Sequence, residues 1–206
     1  MLITFEGVDG SGKTTVIREL MSRNPHWQSV RFPGQTSVGK LVRQTLLDPD
    51  TDMSVVASCL FFMADMRHTM DNMEMDVVYL ADRGPDSTYV YQIETSGMGK
   101  TLEYAAMDAA LKNLIPTPPL TIILDADYKT ARERMSTLEF GTPDRYEMVD
   151  EALWNRRRAV YENLPYKYKH RLFLTIPTHM YSFGEVVKQC ERKIKILVGE
   201  DTRDDA

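Results

Sequence analysis

Hydrophobic positions along this chain come in short bursts, and their period changes from burst to burst. Leu2-Ile3-Thr4-Phe5 reads as a short buried strand, and Thr14 to Arg23 as a helix ending near Asn24-Pro25. Ser29 to Phe32 predicts a weak second strand, stopped by Pro33-Gly34. Helical spacing returns from Val38 to Leu47, closes at Asp48-Pro49, and runs again from about Met53 to Met73. Val77 to Ala81 is continuously apolar, as a strand covered on both faces should be. Pro85 opens a helix to about Ile93, and Ser96-Gly97-Met98-Gly99 breaks the chain. Further helices are predicted at Leu102–Leu114, Tyr128–Met135, Glu147–Leu164 and Phe183–Val198, and further strands at Leu120–Leu124 and Leu172–Ile176. The acidic tail from Gly199 to Ala206 is expected to be disordered.

Strands alternating with helices predict an α/β fold. It would have a mostly parallel sheet of about five strands with helices on both faces. The 206 residues suit one domain, expected over residues 1–198, with a short lid at about 136–144. Strand order is not legible, but ligands in such sheets bind beyond the carboxyl ends of the strands.

Composition narrows the partners. A net charge of −5 argues against a broad nucleic-acid binder. The most apolar run, Val55 to Ala64, is too short to span a bilayer, and no leader segment is read at the start. Cys59 and Cys190 match no metal or disulfide pattern, which suits a reducing cytoplasm. His26, His68, His170 and His179 are scattered, and no nucleophilic triad or zinc site is evident.

The strongest chemical signal is Gly7-Val8-Asp9-Gly10-Ser11-Gly12-Lys13-Thr14, which fits G-x-x-x-x-G-K-[ST] between a predicted strand and helix. Its glycines let backbone N–H groups turn around an anion, and the helix N-terminus adds a favourable dipole. Lys13 is placed to reach the β- and γ-phosphates of ATP, and Thr14 offers a hydroxyl to Mg²⁺. Gly7, Asp9, Gly10, Ser11, Gly12, Lys13, Thr14 and Thr15 are therefore the ATP-binding candidates. The loop alone specifies a nucleotide and no particular reaction.

Several further segments run in order along the chain. Phe5 to Thr15, Arg31-Phe32-Pro33-Gly34, Leu60-Phe61-Phe62 with Ala64-Asp65, and Asp82-Arg83 with Asp86-Ser87-Thr88 and Tyr91-Gln92 form the first part. Leu124-Asp125, Ala131, Arg134 and Asp144-Arg145-Tyr146-Glu147 complete it. Together they resemble the thymidylate kinase family of P-loop nucleoside monophosphate kinases. The resemblance implies transfer of the ATP γ-phosphate to dTMP by a Mg²⁺-dependent homodimer. It implies that Asp9 contacts the acceptor 3′-hydroxyl and helps organise the metal site, with Thr14 and Asp82 as further metal candidates. By the same resemblance Arg83 binds the acceptor phosphate, and Phe62 stacks on the base. Thr88 reads the base edge, and Tyr91 packs on the sugar against a 2′-hydroxyl. Phe32, Pro33, Ser87 and Gln92 complete the acceptor candidates. Structural alternatives stand beside these: an Asx turn for Asp9, an ion pair for Arg83, a core position for Phe62. The acceptor phosphate is already ionised, so such an enzyme needs alignment and charge neutralisation rather than a general base.

Two departures from the family pattern matter. The family's base-reading arginine is replaced by Met66, and Arg67 lies about 100° away on a helix. Either base selectivity is relaxed or Arg67 serves through a shifted alignment. Second, Gly10 stands where a phosphate-loop arginine is expected and Met135 to Pro143 holds no arginine. This leaves Arg132, Arg134 and Arg145, of which Arg134 and Arg145 are favoured as transition-state candidates alongside Lys13, Asp9 and Arg83. The run Arg156-Arg157-Arg158 reads as a solvated helix face. Two other readings remain: a deoxynucleoside kinase using Glu6 or Asp82 as base, and a nucleotide-binding protein without turnover.

Overall fold

All five strands run parallel: β1 (Leu2–Glu6), β2 (Gln28–Arg31), β3 (Tyr79–Asp82), β4 (Leu120–Asp125) and β5 (Phe173–Pro177). They are ordered β2-β3-β1-β4-β5 in the computed structural model, which describes residues 1–137, 146 and 150–200. β1 is central, and its last residues stand beside the last residues of β3 and β4, with Phe5 opposite Asp82 and Glu6 opposite Ile123. The strand expected from Val77 begins instead at Tyr79, which stands opposite Leu2 of β1 and Gln28 of β2 and whose N donates to Met1 O at 2.8 Å.

The helices are α1 (Lys13–Arg23), α2 (Ser37–Leu47), α3 (Val55–Asp71), α4 (Pro85–Thr88), α5 (Leu102–Leu114), α6 (Tyr128–Thr137), α7 (Glu151–Lys167) and α8 (Phe183–Val198). Hydroxyl or carboxylate caps start five of them: Thr36, Ser54, Thr101, Asp150 and Ser182 each accept from a backbone N–H one turn on. α1 differs. Its N-cap is Gly12 at φ 97°, with no side-chain cap, so its first N–H groups stay available to a ligand. The helix expected from Pro85 to Ile93 is α4 followed by a π-helical turn, Tyr89–Glu94, closed by Thr95 N to Val90 O at 3.0 Å.

Two helix boundaries depart from the pattern reading. α7 starts at Glu151, where Asp150 accepts from Leu153 N at 2.7 Å, and it runs through Pro165 to Lys167. Proline removes one donor, but Tyr168 N still closes onto Leu164 O at 2.9 Å. The first two residues of the expected tail, Gly199 and Glu200, are held in place. Gly199 is the left-handed cap of α8, and the Glu200 carboxylate accepts from Trp27 Nε1 at 3.2 Å. Residues 201–206, and the expected lid beyond Thr137, lie outside the described residues.

Side chains alternate across the sheet. Ile3, Phe5, Leu120, Ile122 and Leu124 pack with Val16 and Leu20 of α1 and with Val187, Cys190 and Ile194 of α8. The opposite core holds Met63 and Met66 of α3, Val90 and Tyr91 of the π turn, and Trp154 and Tyr161 of α7. On that face β1 presents polar side chains instead, Thr4 and Glu6, both at 0% exposure. Burial without partners would be costly, and here partners are supplied. Thr4 Oγ1 lies 3.1 Å from Thr121 Oγ1, and Arg171 forks onto Asp86 at 2.8 and 2.6 Å. Glu6 accepts from Ser87 N and Oγ at 3.2 and 2.5 Å. Gly84 permits this approach: a Cβ there would meet Thr4 Cγ2 at 2.6 Å. The polar layer thus fixes α4 directly above the end of β1.

Candidate active site

The carboxyl ends of β1 and β3 open into one cleft of about 420 Å³, within the range of small-ligand sites. On the β1 side, the Lys13 ammonium is buried and donates to Gly7 O (3.0 Å), Val8 O (2.9 Å) and Ser11 Oγ (3.3 Å). Burial, with Arg83 nearby, pushes it down to about 8. Thr14 Oγ1 donates to Asp82 Oδ2 at 2.6 Å, joining the phosphate loop to the end of β3. Gly10, at φ 80°, has no room for a side chain, since a Cβ would lie 2.5 Å from Ala131 O of α6. The loop therefore packs directly on the helix that carries Arg134.

The next residue after β3 is Arg83, in the left-handed backbone region at φ 73°, a conformation a branched or long side chain adopts only at a cost. That turn aims the guanidinium back across the cleft. It forms an ion pair with Asp9 of the phosphate loop and donates to Ser87 Oγ at 3.1 Å. Tyr91 OH donates to the other Asp9 oxygen at 2.9 Å. Burial pushes the Asp9 carboxyl up, but the charges of Arg83 and Lys13 outweigh it and hold it below the usual carboxylate value. Asp9 thus belongs to a charged cluster facing a cavity, and the ion pair named as a structural alternative for Arg83 is present.

The aromatic wall follows. Phe62, Tyr91 and Tyr146 pack edge-on, with ring centroids 5.9 Å (Phe62–Tyr146) and 6.3 Å (Tyr91–Tyr146) apart. Thr88, Gln92, Phe32, Pro33 and Met66 line the same side, and the Phe32–Pro33 peptide is cis. Among the nucleotide candidates Asp9 to Thr15, Asp82, Arg83, Ser87 and Arg134 also line the cleft. Arg134 donates to Thr178 Oγ1 at 2.9 Å and Thr178 O at 3.0 Å. Gly7 lies underneath, its absent Cβ 2.2 Å from Leu124 O. Arg145 falls outside the described residues.

Three expectations are corrected. Arg67 does not enter the cleft. It points to the outer side of α3, pairing with Asp71 at 2.6 Å and donating to Leu114 O at 3.1 Å, while Met66 is buried and faces the cavity. One residue of helix rotation decides this. Second, the run Arg156-Arg157-Arg158 is not a solvated face. Only Arg156 is exposed; Arg157 is buried, and Arg158 forks onto Asp125 at 2.6 and 2.7 Å. Third, Glu6 cannot serve as base to a sugar hydroxyl. It is sealed beneath Ser87, and burial, with Asp86 next, pushes it up to about 7. This removes one of the two bases on which a deoxynucleoside kinase reading stood.

Sequence reasoning also missed lining residues. Arg31 and Tyr146 stand in recognised segments without an assigned role. Arg43 of α2 donates to Pro33 O at 3.2 Å and lays its stem against Gly34. Thr178, Tyr181 and Phe183, from the end of β5 and the start of α8, close the far side. Only the rule that ligands gather at strand carboxyl ends pointed there.

A parallel sheet with a lysine-bearing phosphate loop at its centre and an arginine facing it from β3 defines a P-loop nucleotide-binding protein. Residues 5–189 match the family model for thymidylate kinase. Among similar proteins is a thymidylate kinase of Acholeplasma laidlawii (strain PG-8A). It is 32% identical over 180 residues, covering 84% of this chain and 88% of that protein. Another, from Desulforapulum autotrophicum, is 32% identical over 221 residues, covering 98% and 96%. The solved thymidylate kinase of Candida albicans superposes with a TM-score of 0.74 at 21% identity, over 97% of this chain and 93% of that one. That of Ehrlichia chaffeensis gives 0.68 at 24% identity, over 95% and 98%. The chain belongs to the thymidylate kinase family, and it is an ATP-dependent phosphotransferase.

Proposed function

We propose that the cleft aligns ATP on the phosphate loop with a deoxynucleoside monophosphate on the β3 side. On this reading it phosphorylates dTMP together with other deoxynucleoside monophosphates. The observation that carries this is the Asp9–Arg83 pair: it sets the acceptor-side guanidinium against the ATP-side loop within one cavity. Two anions aligned end to end need such cationic groups at both ends and little covalent help.

Each residue then has a physical task. Lys13 and the uncapped N–H groups of α1 hold the donor phosphates. Thr14 Oγ1 and the Asp82 carboxylate form an oxygen pair of the kind Mg²⁺ takes together with phosphate oxygens and water. Asp9, the third metal candidate, is engaged by Arg83 and Tyr91 and is better placed to meet the acceptor sugar. Bound at that pair, the ion supplies charge neutralisation at the β- and γ-phosphates. Arg83 takes the acceptor phosphate, and its bidentate fork suits phosphate better than lysine would. Phe62 stacks on the base, and Thr88 and Gln92 offer polar atoms to its edge. Arg134, beside the phosphate loop, is the choice for the arginine that stabilises the transferring group.

Met66 is the ground for broad base use. A thioether offers soft contact where a guanidinium would offer directed donors. Turnover of dTMP, dUMP, dCMP, dAMP and dGMP with ATP and Mg²⁺ tests the reading. Phosphorylation of dTMP and at least one further base supports it, strict dTMP use removes the selectivity claim, and no turnover of dTMP removes the whole.

A homodimer through α2 and α3 is also part of this reading. Val38, Leu41, Leu60 and Phe61 on those helices are exposed apolar side chains, the kind a partner surface covers. The two cysteines, buried and unpaired, suit a reducing cytoplasm. Among the described residues no helix is long and apolar enough to cross a membrane.

A further inference from the structure

The buried stripe of α7 is Trp154, Arg157, Tyr161 and Leu164. Their spacing is that of one helix face turned to the core, so an arginine occupies a position where an apolar side chain belongs. Arg157 is only 6% exposed, and among the described residues no carboxylate lies within ion-pair distance of it. Its Nε is buried without a hydrogen-bond partner. A buried cation is costly unless it makes strong compensating contacts, and the Asp9 charge acts on Arg157 only from beyond ion-pair distance. Two such contacts exist. Its Cζ lies 4.1 Å from the centre of the Tyr91 ring, and its Nη1 donates to Tyr146 O at 2.7 Å. Arg83 Cζ is also 4.9 Å from that ring, so two guanidinium groups bear on one tyrosine. Tyr146 is anchored again by its hydroxyl, 2.8 Å from Ser58 Oγ of α3.

We propose that Arg157 is a positioning residue for the acceptor sugar: it fixes the Tyr91 ring and the Tyr146 backbone into one rigid wall and thereby sets discrimination against a 2′-hydroxyl. Tyr91 joins that wall to Asp9, so the wall is registered against the phosphate loop. The inference rests on the reading of Tyr91 as the residue beside the sugar.

Kinetics with dTMP and with 5-methyluridine 5′-monophosphate test it in the full-length enzyme. Arg157→Met keeps the volume and removes the cation. It should raise KM for dTMP about tenfold, leave KM for ATP within about twofold, and cut the deoxy-over-ribo preference in kcat/KM at least about fivefold. Arg157→Lys, which keeps a cation near the ring, should recover part of that preference and also serves if the Met variant does not fold. Tyr91→Phe provides the separation. If Tyr91→Phe lowers the preference while neither Arg157 variant does, the positioning role is overturned and the acceptor-site reading stands. If neither residue affects it, both fall together.

Discussion

Arg83, the residue that follows β3, reaches across the carboxyl end of the sheet to grip Asp9 of the phosphate loop. The two are brought together because Arg83 adopts a left-handed backbone turn, φ 73°, and because β1 and β3 are hydrogen-bonded neighbours. Asp9 thus occupies the guanidinium that an acceptor phosphate would engage. On the proposed function, an incoming acceptor phosphate would compete for it and leave the Asp9 carboxylate to a sugar hydroxyl.

Replacing Arg83 tests this relationship first. Arg83→Gln is expected to lower kcat/KM for dTMP about a thousandfold, the scale of losing a charge-assisted bidentate contact plus an orphaned carboxylate. KM for ATP should change by less than about threefold. Steady-state kinetics with each substrate varied in turn separate the two.

Met66→Arg should narrow base use. Met66 is buried against the cleft and one helix step from the outward-facing Arg67, so a guanidinium placed there points at the base. The preference for dTMP over purine monophosphates is expected to rise about tenfold or more, the scale of one polar group left unpaired by the wrong base. Competition assays with mixed acceptors read this directly, and an unchanged ratio would sink the proposal that position 66 governs selectivity.

Arg134→Ala is expected to lower kcat by about a thousandfold or more, with KM values nearly constant, as for removal of a group that acts on the transferring phosphoryl. Gly10 cannot relieve the loss, because Ala131 O fills the space a side chain would need. A variant that loses less than tenfold would move the role to another arginine.

Glu6 makes stability depend on pH. Its folded value is about 7 against an ordinary 4.5, raised first by burial and then by Asp86. Between those values the folded state holds a proton that the unfolded chain has lost. Its contribution is therefore complete below about pH 4.5 and disappears as pH rises through about 7, a change on the order of 3 kcal/mol. Glu6→Gln, which cannot ionise, should lack that component. Urea unfolding of both proteins at about pH 5 and pH 8 should show the wild type losing more stability than the variant. Parallel curves would contradict it.

Much of the architecture was legible because it rests on local order. Helix α5 and helix α8 match their expected limits, since capping residues and hydrophobic spacing lie within each segment itself. The phosphate loop reads from contiguous residues for the same reason: its glycines, Lys13 and Thr14 act through backbone geometry they set themselves. The polar layer under α4 was not legible. Thr4, Glu6, Asp86, Thr121 and Arg171 look like isolated polar residues until the sheet order brings them together.

The chain's own pattern was enough to establish alternating strands and helices, a phosphate loop between the first pair, and an aspartate–arginine step after the third strand. Tertiary structure alone decided that Met66 rather than Arg67 faces the cleft, that Arg157 is buried on Tyr91, and that Glu6 is sealed away from any substrate. Those outcomes depend on which distant surfaces meet. Helix and strand periods are set by bonds a few residues long, whereas the face a side chain turns inward is set by neighbours many residues away.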